Sequence, residues 1–120
     1  VEAKDLYLSP LFRYNLKYAS QLEPDNIFIL SAHYGLVNLD QRITYYNKTL
    51  NAMAVVERRK WSNSILESLK QKTDIESDLY IFLAGNKYRE FLIPKLRNYE
   101  IPFKGLSIGR QLQELKLRTR

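Results

Sequence analysis

Ser31-Ala32-His33-Tyr34-Gly35-Leu36 sets a hydroxyl, the chain's single imidazole, a phenol and a glycine side by side. An imidazole titrates near neutrality, so His33 could act as a general acid or base, or donate a hydrogen bond to a developing oxyanion. Asp40 or Glu57 could orient it. The competing reading is a histidine that only pins its own loop. Farther along, Tyr45-Tyr46-Asn47 offers rings able to stack on a base and an amide able to read its edge. An aromatic plug over the end of a sheet would need the same rings. Gly85-Asn86, followed by Lys87, Tyr88 and Arg89, reads as a strand-to-helix turn whose free N–H groups suit a phosphate or carbonyl oxygen; a plain turn is the alternative. Tyr7, Ser9 and Phe12 could line the same cleft from the mouth of a first helix, where Ser9 also serves as an N-cap, and Arg110 adds a cation from the tail.

These residues need elements to position them. Asn26 to Leu30 is a short apolar run that reads as a buried strand ending at Ser31. Leu79 to Ala84 reads as a second, apolar on both faces. Ligands of open α/β sheets bind beyond the carboxyl ends of parallel strands. The two tips, Ser31–Gly35 and Ala84–Asn86, are therefore expected to be neighbours. Ser9-Pro10 starts a helix to about Gln21, broken by Glu23-Pro24. Asn51 is expected to cap a helix to about Lys70, and Pro94 to interrupt a third helix begun at Gly85. Ile101-Pro102-Phe103 reads as an edge strand, and Gly109 precedes a last amphipathic helix. Residues 32–50 read as one long loop, a length that usually signals function.

The order implies an α/β fold: a three-layer sandwich with a short, mostly parallel sheet flanked by about four helices, in a single domain spanning residues 1–120. Two long strands make a small sheet for four helices, so a first strand ahead of Val1, or a partner's strand, is expected to complete it. With no cysteine there is no disulfide, thiolate nucleophile or cysteine zinc site, and one histidine argues against a metal centre. No cofactor is expected. No run is long enough to span a membrane and no signal peptide opens the chain, which points to the cytoplasm. The formal net charge of +6 favours phosphate-bearing partners, much of it lying in Lys104, Arg110, Lys116, Arg118 and Arg120.

Lys4 to Phe12, Ile29 to Leu36, Ile43 to Leu50, Ala84 to Arg89 and Ile108 to Gln111 together resemble a family of small uncharacterised bacterial and phage domains, distantly similar to the peroxide-stress protein YaaA. That family looks related to the uracil-DNA-glycosylase-like superfamily. The resemblance implies a cleft for a nucleobase or nucleic acid, no obligatory metal, and a leading strand and loop ahead of the segment matching Lys4. It also implies an acidic residue after the tyrosine, where this chain has Asn47.

The resulting expectation is a nucleic-acid- or nucleotide-binding domain of glycosylase-like type. His33 and Asn47 are its candidate catalytic residues for N-glycosidic hydrolysis. Tyr7, Ser9, Phe12, Ser31, Tyr34, Gly35, Tyr46, Gly85, Asn86, Tyr88, Arg89 and Arg110 are its candidate binding residues. A non-catalytic DNA- or RNA-binding module and a protein-interaction domain are the alternatives.

Overall fold

The computed structural model describes residues 1–120, grouped into two compact units: residues 1–29, 38–45 and 103–120 form the first, and residues 30–37 and 46–102 the second. The architecture is mixed α/β, as the sequence implies, with five helices and two small sheets.

In the first unit, Ala3–Leu6 forms a single helical turn, α1. It is held by backbone hydrogen bonds from Ala3 N–H to Gln41 O (2.8 Å) and from Lys4 N–H to Leu39 O (2.9 Å). Helix α2 (Pro10–Gln21) begins where the sequence says it should. Ser9 Oγ accepts the Phe12 N–H at 3.2 Å, and Pro10 fills the first helical position, where no N–H is needed. It ends because Glu23 takes a left-handed φ of 50° and Pro24 cannot continue a helix. The last helix, α5 (Ile108–Arg118), is capped by Ser107, whose Oγ accepts the Arg110 N–H at 3.3 Å. Helices α2 and α5 pack together, with Leu115 fully buried.

The chain enters the second unit within strand β1 (Phe28–Ser31). Here the structure departs from the expected pairing. Strand β1 turns back after only three residues and pairs antiparallel with β2 (Gly35–Asn38), inside the segment read as one long loop. Strand β3 (Leu79–Ile81) pairs in parallel with β4 (Asn98–Glu100), Tyr80 opposite Tyr99. The expected parallel pairing of β1 with the Leu79–Ala84 run is not formed; the strands are shared between two sheets instead of one. The physical reason lies at Gly35, whose φ of 80° allows the tight reversal. Closing a three-residue loop costs far less chain entropy than closing one of about fifty, so the local partner takes the edge of β1.

The 18-residue helix α3 (Val55–Lys72) runs through the second unit and buries Ser62, Ile65, Leu66 and Leu69. It starts later than expected, because Thr49 first caps a single 3-10 turn at Leu50–Ala52. Its end is closed by Thr73, whose N–H and Oγ both donate to Leu69 O at 2.7 Å. Helix α4 (Asn86–Arg89) is only one turn, and a 3-10 turn at Ile93–Lys95 follows it around Pro94. Strand β4 lies just ahead of the Ile101-Pro102-Phe103 segment expected to form it; stopping short of Pro102 spares the ladder a missing donor.

Candidate functional site

Ser31 builds the β1–β2 turn. Its Oγ accepts the N–H groups of His33 (3.3 Å) and Tyr34 (3.0 Å), so the hydroxyl takes the place of a carbonyl in closing the reversal. This leaves His33 at the hairpin tip, exposed to solvent. Its ring lies flat on that of Tyr46, centroids 3.5 Å apart and planes only 3° off parallel. Tyr34 meets the same imidazole edge-on at 4.6 Å. Tyr46 keeps 55% of its surface exposed and the neighbouring Tyr45 keeps 71%. Three aromatic side chains of the second unit, His33, Tyr34 and Tyr46, therefore form a continuous ring cluster open to water.

The tip is tied to α3 by Trp61, whose Nε1–H donates to the Ser31 carbonyl at 2.9 Å. The indole is in turn met edge-on by Tyr88 of α4, centroids 5.7 Å apart. The Tyr88 hydroxyl lies 3.5 Å from both Thr49 Oγ1 and the Leu50 nitrogen, at the outer limit of hydrogen bonding. Arg58 braces the same end of α3: Nη1 donates to Met53 O at 2.7 Å and Nε pairs with Glu90 Oε1 at 3.1 Å, with only 12% of the arginine side chain exposed.

Charge in this unit is polarised along α3, which spans about 27 Å at 1.5 Å per residue. Lys48, Arg58, Arg59, Lys60, Lys87 and Arg89 belong to the segments at its N-terminal end, opposed by Glu57 and Glu90. At its C-terminal end Lys70 and Lys72 in the last turn are outnumbered by Glu67, Asp74, Glu76 and Asp78. There the Ser77 hydroxyl, followed by the Glu76 N–H, holds the Asp74 carboxyl below the usual aspartate range. The ring cluster thus shares the cationic end, since Trp61 reaches Ser31 from the second turn of the helix. Arg59 is engaged over the Phe91 ring at 4.2 Å.

The second unit brings together His33, Ser31, Tyr34, Gly35, Tyr46, Asn47, Gly85, Asn86, Tyr88 and Arg89. Their jobs differ. Ser31 is buried, with its hydroxyl and carbonyl both used internally, and Gly35 serves the turn. Tyr88 supports Trp61, and Arg89 folds back so that Nη1 donates to Ala84 O at 2.7 Å. Gly85 caps the one-turn α4 with an ordinary φ of −66°, and Asn86 opens that turn with its side chain in solvent. Asn47 is exposed and its amide makes no hydrogen bond. The His33 imidazole is held by ring contacts, with Glu57 of the same unit not bonded to it, and Asp40 belongs to the first unit. Tyr7, Ser9, Phe12 and Arg110 belong to the first unit. There Tyr7 and Phe12 pack tilted at 5.1 Å, Ser9 is the N-cap of α2, and Arg110 is exposed in the first turn of α5. The sequence reading missed the anchoring role of Trp61. An indole N–H near a core stripe needs an acceptor, and that requirement was the available signal. No three His, Asp or Glu side chains are grouped to hold a metal ion, and no helix is long and apolar enough to cross a membrane.

A family model matches residues 1–117, so the chain belongs to that family, described as a family of unknown function (DUF6884). No curated protein and no solved structure matches the chain.

Proposed function

We propose that this chain binds nucleic acid or nucleotides by stacking unpaired bases on the His33–Tyr46 ring pair. The observation that carries the reading is the flat, solvent-open stack at the hairpin tip, with Tyr34 edge-on beside it. Exposed aromatic groups are costly in water, and every base offers a π-face able to cover them. The cationic residues at the N-terminal end of α3, Lys48 and Lys60 among them, supply phosphate attraction of the right sign. A cytoplasmic address accords with such a partner.

The resemblance to YaaA-like and glycosylase-like domains adds a hydrolytic form of the same reading. In it His33 stabilises charge on a departing base and Asn47 orients water. Binding is the better supported of the two, because no carboxylate orients the imidazole and the Asn47 amide is not fixed by any hydrogen bond. The test is fluorescence anisotropy with a labelled single-stranded 12-mer at 50 mM salt, using the wild type, His33→Ala and Tyr46→Ala. Loss of a stacking ring is expected to weaken binding about 5- to 150-fold, from roughly 1–3 kcal/mol per stacked base. Equal binding by all three proteins, or none by the wild type, refutes the proposal. Base release from a uracil-containing strand, abolished by His33→Ala, would establish the hydrolytic form.

A further inference from the structure

We infer that the paired helices α2 and α5 of the first unit form a second, separate site, an electrostatic seat for the phosphodiester backbone of double-helical nucleic acid. The helices with their lead-in residues, 9–21 and 104–120, hold seven cations against the single carboxylate of Glu114. Elsewhere in the chain twelve cations face twelve carboxylates. The whole net charge of +6 is therefore concentrated on this helix pair. All seven side chains (Arg13, Lys17, Lys104, Arg110, Lys116, Arg118, Arg120) are exposed, and only Arg118 has an ion-pair partner, Glu114 at 3.6 Å.

The seam between the helices also pre-positions part of this charge. Tyr14 and Tyr18 stand one turn apart on α2, and Tyr18 meets Phe103 edge-on at 5.4 Å. Lys116 Nζ lies 5.8 Å from the Tyr14 ring centre and the Arg118 guanidinium 5.2 Å from that of Phe103. Arg13 and Lys17 form the neighbouring row of α2, also one turn apart. A cation resting on a ring surrenders less side-chain freedom when it meets a phosphate than one waving in solvent.

A phosphate-rich membrane surface would answer to the same charge, but the apolar surface does not fit it. Interfacial helices need a free apolar stripe, whereas Leu115 of α5 is fully buried. Its exposed apolar residues, Ile108 and Leu117, are nine positions apart and so project from opposite sides of the helix. Backbone contacts of this type read no sequence.

The site stands apart from the stacking proposal in its residues and in its probe. The experiment measures anisotropy of a labelled 20-base-pair DNA duplex from 50 to 200 mM salt. The proteins are the wild type, the Arg13→Gln/Lys17→Gln double variant, and the His33→Ala/Tyr46→Ala double variant. Contacts from Arg13, Lys17, Lys116 and Arg118 predict a loss of about 100-fold in affinity across that range for the wild type, and only about tenfold once two are removed. The ring variant should behave as wild type, so failure of the stacking reading leaves this result intact. Absence of duplex binding at 50 mM salt, an unchanged salt slope in the Arg13/Lys17 variant, or tighter binding to phosphatidylserine vesicles than to the duplex would each overturn the inference.

Discussion

Trp61→Phe tests the idea that a single hydrogen bond holds the hairpin tip. The substitution keeps an aromatic ring against Tyr88 but removes the Nε1–H that donates to Ser31 O at 2.9 Å. A neutral hydrogen bond of good length contributes about 1 kcal/mol net, and the smaller ring forfeits about 1 kcal/mol of apolar burial. The expected loss is therefore about 2 kcal/mol. At roughly 4 °C per kcal/mol for a chain of this size, the melting point should fall by about 8 °C. Tyr88→Phe is the matched control. Its hydroxyl contacts are both 3.5 Å long, so removing them should cost under about 0.5 kcal/mol. Urea unfolding followed by circular dichroism gives both values without depending on the chain's one tryptophan. Proton NMR of the His33 ring, shielded in the wild type by the stacked Tyr46, reports whether the tip has moved. A Trp61→Phe loss no larger than that of Tyr88→Phe, with the His33 shifts unchanged, would refute the anchoring argument.

Two backbone substitutions should move stability in opposite directions. Gly35→Ala places a Cβ at ordinary contact distance from Ile65 (3.7 Å) but forces a φ of 80°, so a loss of about 1–2 kcal/mol in urea unfolding is expected. Glu23→Gly relieves a φ of 50° worth about 1 kcal/mol and adds about 0.5 kcal/mol of unfolded-chain freedom, leaving a net gain of about 0.5 kcal/mol by the same measurement. Ser62→Ala should stabilise by about 1 kcal/mol, since the serine is 2% exposed and its hydroxyl has no partner; a calorimetric melting point that falls would contradict this. The Asp74 carboxyl, held low chiefly by the Ser77 hydroxyl, contributes stability above the ordinary aspartate range. That contribution is lost as pH falls below about 4. Ser77→Ala should raise the Asp74 pKa in an NMR titration and flatten the acid limb of stability against pH.

What could be read from the residues beforehand follows a physical division. Helix α2 was legible because Ser9-Pro10 and Glu23-Pro24 are local stop and start signals whose chemistry needs no tertiary partner. The same holds for α5, whereas the third helix ends at Arg89, ahead of Pro94, which instead sits within the 3-10 turn. The pairing of β1 was not legible, because Val37 in the middle of a polar and aromatic stretch gave too little alternation to declare a strand. The signal was present in Gly35, a residue suited to the left-handed turn that a three-residue hairpin requires. The shared-tip reading of two parallel strands instead pairs β1 with the Leu79–Ala84 run and places Gly35 among the binding residues. The start of α3 was misplaced for a related reason. Thr49 caps a 3-10 turn first, and the choice between one short turn and a longer helix depends on tertiary contacts such as Arg58 to Met53 O.

The site shows the same division at the level of side chains. His33 and Tyr46 were both singled out by type, yet their contact required two segments to be brought together by the unforeseen hairpin. Residues chosen for reactive chemistry turned out to divide between scaffold and surface. Ser31, Gly35, Tyr88 and Arg89 spend their polar or conformational capacity inside the fold, whereas His33, Tyr46 and Asn47 keep theirs for solvent. That separation leaves the ring faces free for a planar ligand, the feature on which the binding proposal rests. A stacking surface needs only a rigid ring with an open face. The ring pair meets that requirement, with the tip tied to α3 by Trp61 and closed by Ser31. Base stacking as such releases no counterions, whereas charge pairing with phosphates does, so the cations beside the rings give the stacking site a salt slope of its own. The two proposed surfaces are therefore separable by variant and by probe, since removing the rings should lower single-strand affinity and leave the duplex salt slope unchanged, whereas removing Arg13 and Lys17 should flatten that slope.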